Sequence, residues 1–137
     1  MTELEALQAA LAAEYQAVYG YGVVGAALTG HDREFATAAL TAHQEQRDRL
    51  VAMITALGAT PVAAAPAYRL PFPVTGRASA GELGGHLERG IAGAAWDLVA
   101  AAQPDSTQRS AAIAWLGAAA VRGAHWGMTQ ALPGQPA

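Results

Sequence analysis

The chain is 137 residues long, 53% hydrophobic and only 14% charged, with a formal net charge of -3 and no cysteine. That length predicts one domain around one core, and the missing cysteines exclude a disulfide scaffold, a thiolate metal site and a cysteine nucleophile. Its 8 basic residues are all arginines, scattered among 11 carboxylates, so no basic stripe follows a phosphate backbone or an anionic membrane, and neither nucleic acid nor membrane is expected as a partner.

The opening Met1-Thr2-Glu3-Leu4-Glu5 is acidic where a secretory signal is basic, and the longest apolar stretch, near Ala111 to Val121, is too short to span a bilayer. A cytoplasmic location is therefore expected. The first predicted helix covers residues 3–29, with Leu4, Leu7, Leu11, Glu14, Val18, Tyr21, Gly25 and Leu28 alternating by three and four along one stripe. Thr2 and Glu5 form a capping box at its start. Gly20-Tyr21-Gly22-Val23-Val24-Gly25 has the letters of a dinucleotide fingerprint but lies inside this stripe with no preceding strand, so its glycines are read as places of close helix approach.

A second helix is predicted over 32–57, capped by Asp32, with Ala36, Leu40, His43, Arg47, Leu50, Ile54 and Leu57 on one face and Gly58 as its stop. Prolines at 61, 66, 71 and 73 then forbid a helix through residues 59–78. The third helix, 79–103, opens on Ser79-x-x-Glu82 and carries Leu87, Ile91, Ala94 and Leu98, with Glu88 beside them. Its glycines at 81, 84, 85, 90 and 93 each cost about 1 kcal/mol relative to alanine. The turn Gln103-Pro104-Asp105-Ser106 leads into a fourth helix over 106–131. Asp97 is placed to form a surface pair with Arg89 or Arg109.

The connection lengths predict the topology. Short links make the first two and the last two helices antiparallel hairpins. The roughly 20 extended residues between them can span about 65 Å, more than the roughly 38 Å length of a 25-residue helix. The crossover therefore returns the chain to the top and leaves the second and third helices parallel, the arrangement of an all-α, ferritin-like four-helix bundle. Tyr68, Leu70 and Phe72 are too apolar for a solvated linker and are expected to pack on the bundle flank or on a second subunit.

Helical rise puts Glu14, His43, Glu88, Arg122 and His125 within about 12 Å of one another in height. A polar layer across an apolar bundle must satisfy itself or serve as a site. The phrases Ala13-Glu14-Tyr15-Gln16-Ala17-Val18-Tyr19, Arg47-Asp48-x-Leu50, Tyr68-Arg69-Leu70-Pro71-Phe72-Pro73-Val74 and Leu87-Glu88-x-Gly90 resemble a family of small bacterial ferritin-like domains of unknown function. That resemblance implies a bundle with a degenerate di-iron pattern, because ferritin-like proteins carry a Glu on helices one and three and Glu-x-x-His on helices two and four. Glu14 and Glu88 match the lone glutamates, whereas helix two offers His43-x-x-Gln46 and helix four Arg122-x-x-His125.

With half the carboxylates missing and a permanent cation at Arg122, a di-iron centre is not expected. The favoured reading is a self-satisfied polar core that includes Gln46, Arg47 and Arg122, with no cofactor, in a non-catalytic interaction or small-ligand-binding module. The alternative is one iron or zinc ion held by Glu14, His43, Glu88 and His125, in a metal-dependent oxidoreductase or metal store. Tyr15, Tyr19 and Tyr21 point to different faces of the first helix, and together with the resemblance they suggest a homodimer. His31 in the first turn is expected to be solvated, and Glu82 and His86 are read as a cap and an exposed side chain.

Overall fold

The computed structural model describes residues 1–128. Four helices follow in order: α1 Glu3–Ala26, α2 Gly30–Ala56, α3 Arg77–Ala101 and α4 Thr107–His125. Among the described residues there is no strand, and no helix is long and apolar enough to cross a membrane.

Local chemistry explains most of the ends. The Thr2 hydroxyl accepts from the Glu5 amide at 3.1 Å, and the Ser106 hydroxyl from the Arg109 amide at 3.1 Å, each satisfying a donor that the helix leaves orphaned. Gly58 ends α2 at φ 79°, with its amide on Thr55 and the Ala59 amide on Ile54. Gly127 repeats this left-handed turn after α4 at φ 95°, with its amide on Ala124 and the Met128 amide on Gly123. The fourth helix thus stops at His125, short of the expected 131; residues 129–131 lie outside the described residues.

Two expected caps act elsewhere. Asp32 lies inside the first turn of α2, where its carboxylate takes the Arg77 guanidinium of α3 at 3.0 Å. Ser79 is the third residue of α3, and from there its hydroxyl accepts from the amides of Thr75 and Gly76 at 2.8 and 3.2 Å. Glu82 is exposed.

The pairing of helix ends gives the topology. At one end Leu7 and Leu11 from early α1 share a cluster with Leu50 and Ile54 from late α2, Leu98 from late α3, and Ala112 and Trp115 from early α4. At the other, Tyr21 and Val24 meet Ala36 and Ala39 of early α2 and Ala80, Leu83 and Leu87 of early α3. Consequently α1 and α4 run one way and α2 and α3 the other, so the bundle has two antiparallel hairpins with α2 and α3 parallel, as the length of the crossover requires.

The crossover climbs along α1. At its lower end the Gln8 side chain grips it, donating to the Thr60 carbonyl and accepting from the Val62 amide, both at 2.8 Å. Higher up, Tyr68 meets Tyr19 edge to face with centroids 5.9 Å apart, and Leu70, Phe72 and Val74 pack onto the upper cluster. The expected packing of Tyr68, Leu70 and Phe72 is on the flank of their own bundle. Of the three tyrosines of α1, Tyr21 is buried, whereas Tyr19 is half-buried against Tyr68 and Tyr15 half-buried against the lower cluster.

The buried seam of α2 follows Ala36, Ala39, His43, Gln46, Leu50 and Met53. Arg47, expected on that stripe and in the polar core, sits at its edge and pairs with the neighbouring Asp48 at 3.0 Å. From His43 both a three-residue and a four-residue step remain near the seam, and the cost of desolvating a guanidinium leaves the inner place to the neutral Gln46. Leu4 and Leu57, at the far ends of their stripes, are exposed. His31 is exposed as expected, 3.2 Å from Glu34.

Candidate functional site

Each of the four helices contributes one charged residue to the middle of the bundle. Glu14, His43 and Glu88 occupy seam positions that helical spacing would otherwise give to apolar groups, and all three are buried. Arg122 reaches the same layer from α4 with its side chain 13% exposed. His43 is the hub: its Nδ1 lies 2.6 Å from Glu14 Oε2 and its Nε2 2.9 Å from Glu88 Oε2. Glu88 Oε2 also accepts from the Tyr21 hydroxyl at 2.5 Å and from Arg122 Nε at 3.2 Å. The Trp126 indole donates to the Tyr21 oxygen at 3.0 Å, and the Tyr21 ring stacks on His43.

Burial lowers the His43 affinity for a proton, but hydrogen bonds and charges from Glu14 and Glu88 outweigh it and hold the imidazole up at about 9. Burial pushes Glu88 up, yet its bond to His43, the charges of His43 and Arg122, and the Tyr21 hydroxyl bring it below the usual carboxylate range. Among the described residues Glu14 has His43 alone as a bonded partner, and there burial wins and raises its carboxyl. Burial and the neighbouring Glu88 charge raise Tyr21 well above an ordinary phenol. The layer thus sets two carboxyl groups against one imidazole and one guanidinium, with His43 and Glu88 each held toward the charged form and Glu14 toward the neutral one.

An imidazolium that gives both N–H groups to carboxylates keeps no lone pair, either to take a substrate proton or to ligate a metal. His125, the fourth expected ligand, does not converge with Glu14, His43 and Glu88. It stacks on Phe35 at 3.6 Å between centroids and lies 3.4 Å from Asp32, near the end of the bundle. Two carboxylates joined to one charged imidazole, with a guanidinium on one of them, do not fit a metal ion. Among the described residues no group of three or more His, Cys, Asp or Glu side chains is disposed to hold one.

Among the described residues Glu88 Oε1, Arg122 Nη2 and Gln46 Oε1 are buried and find no hydrogen-bond partner. Two surface hollows lie elsewhere. A 650 Å³ groove beside the crossover is walled by Val18, Tyr19, Gly22 and Val74, and a 510 Å³ hollow near the end of α4 by Asp32, Arg77, His125 and Trp126.

Sequence reasoning placed Glu14, His43, Glu88 and Arg122 at one level, and they meet. It missed Tyr21 and Trp126 as members. Tyr21 was legible in principle, being seven residues beyond Glu14 on the same seam, and a buried phenol seeks a partner. Trp126 lies past the last helical residue, where no periodicity reports its direction.

Comparison with known proteins agrees with the architecture. A solved structure of similar form is that of a conserved hypothetical protein, Rv2844, from Mycobacterium tuberculosis, with 33% sequence identity and a TM-score of 0.86, over 90% of this chain and 87% of that one. No curated protein matches. Residues 6–137 match the family model described as a domain of unknown function, DUF4439, and the chain belongs to that family.

Proposed function

We propose that this domain is a ferritin-like bundle without a resident metal, a non-catalytic module that works through association, as a homodimer, rather than through turnover. The observation that supports this reading is the layer in which His43 bridges Glu14 and Glu88 and Arg122 bonds Glu88, at the level where a ferritin-like bundle places its metal ligands. A pair of irons needs more carboxylate than two glutamates supply, and Arg122 already neutralises one of them. Burying such ions is tolerable because each has a partner, and it makes the layer intolerant of losing one.

Elemental analysis tests the proposal on protein produced in medium supplemented with iron and zinc. The expected result is no stoichiometric iron or zinc. One tightly held ion per chain that disappears in Glu14→Ala or His43→Ala would replace this reading with a metal-dependent one.

A further inference from the structure

Two kinds of helical glycine stand apart in this fold. At Gly20, Gly84 and Gly123 an added Cβ would strike Leu87, Trp126 and Met128, so the bare backbone serves packing inside the chain. At Gly22, Gly90, Gly93 and Gly117 a Cβ would meet none of the described residues. These four weaken their helices and gain no internal contact in return. Gly22 lines the groove beside the crossover; the other three lie on α3 and α4.

Gly93 and Gly117 stand at the same height. Glu88 bonds Arg122 across the two antiparallel helices, and each glycine lies five residues further toward the lower end of its helix. The flanking residues are arranged symmetrically about that level. Arg89 and Asp97 are four residues either side of Gly93, both exposed, and among the described residues neither forms an ion pair within the chain, contrary to the expected pairing of Asp97 with Arg89 or Arg109. Ile113 and Val121 are four residues either side of Gly117 and are 52% and 69% exposed. Between Arg109 and Arg122 the fourth helix carries no charge, so its outer face is apolar over roughly three turns.

We infer that the outer face of α3 and α4 is the contact surface of a two-fold symmetric homodimer, with the axis crossing both helices at the level of Gly93 and Gly117. Such an axis lays each helix antiparallel on its own copy. It sets Arg89 against Asp97 of the other chain twice and Ile113 against Val121 twice, while the glycines admit close backbone approach. A second copy is the occupant that fits, because the charge pair and the apolar pair are both self-complementary about one axis, as an isologous contact requires. The inference rests on the association reading above and adds to it the surface and the register.

The test is the molar mass of the full chain by sedimentation equilibrium, with helix content followed by circular dichroism. The wild-type protein is expected at twice the 14.0 kDa chain mass. Gly117→Leu, at an exposed position where a Cβ meets none of the described residues, is expected at the single-chain mass with helix content intact; Val121→Glu, at a highly exposed site, is expected to do the same and guards against misfolding of the first variant. Arg89→Asp or Asp97→Arg alone should weaken the dimer on the order of tenfold, through two like-charge contacts per dimer, and the double reversal should restore it. A wild-type monomer at high concentration would overturn the homodimer altogether. A wild-type dimer indifferent to Gly117→Leu and Val121→Glu would overturn this face and leave the homodimer standing. Loss of the dimer in those two variants with no rescue by the charge swap would overturn the register.

Discussion

At the scale of single residues, His43 ties stability to pH. Its folded pKa of about 9 stands above the 6.5 of a free histidine. A histidine raised in this way contributes its full stabilisation below pH 6.5 and loses it as pH climbs through about 9, a loss of about 3 kcal/mol. Urea midpoints measured from pH 6.5 to 10 should therefore fall, Tyr21 staying protonated throughout, and His43→Gln should be weaker at pH 7 but nearly flat across that interval. A flat wild-type profile would mean that the imidazole is neutral between its carboxylates. The two glutamates should also differ. Glu88→Leu strands His43, Tyr21 and Arg122 together and should cost about 3–5 kcal/mol, whereas Glu14→Leu removes a carboxylate that burial already disfavours and should cost less; the reverse order in chemical denaturation would place the main anion at Glu14. The layer was legible because helical rise brings one charged residue from each of four helices to one height. The fate of Arg47 and His125 was not, since a rotation of one residue about the helix axis separates seam from flank, and only the three-dimensional neighbours of each position decide between them.

At the scale of elements, helix existence and order followed from periodicity and proline, while the ends depended on contacts distant in sequence. Asp32 has the chemistry of a cap, yet Arg77 from another helix recruits it. Ser79 caps from inside its helix because Gly76 and Thr75 fold their amides back toward it. The two kinds of glycine give a paired prediction on separate helices. Gly84→Ala sets a Cβ 2.7 Å from the Trp126 indole nitrogen, and displacing that ring breaks its bond to Tyr21. It should destabilise by about 1–3 kcal/mol and shift the tryptophan emission. Gly22→Ala meets no neighbour and should stabilise by up to about 1 kcal/mol. If thermal melts moved both variants in the same direction, the close contact at Gly84 would not constrain the fold.

At the scale of the whole molecule, each end of the core draws on both hairpins, so neither hairpin can complete its apolar burial alone. The crossover that joins them is gripped by Gln8 at its lower end and by Tyr19 and the upper cluster at its other end, and residues 63–67 between these grips are exposed. Limited proteolysis should cut first within 63–67, and Gln8→Ala should speed hydrogen exchange at Val62 while leaving Tyr68 to Val74 packed; first cleavage at Leu70 to Val74 would show the upper grip to be the weaker. The long crossover was readable from its prolines, but its partner was not, because extended chain carries no period that points to one helix. Its middle acts as a tether that sets the effective concentration of one hairpin for the other. Doubling the length of a flexible tether costs only about 0.6 kcal/mol, so the bond between Ala63 and Ala64 is a point at which a foreign domain or a reporter peptide could be spliced into this bundle with both halves still finding each other.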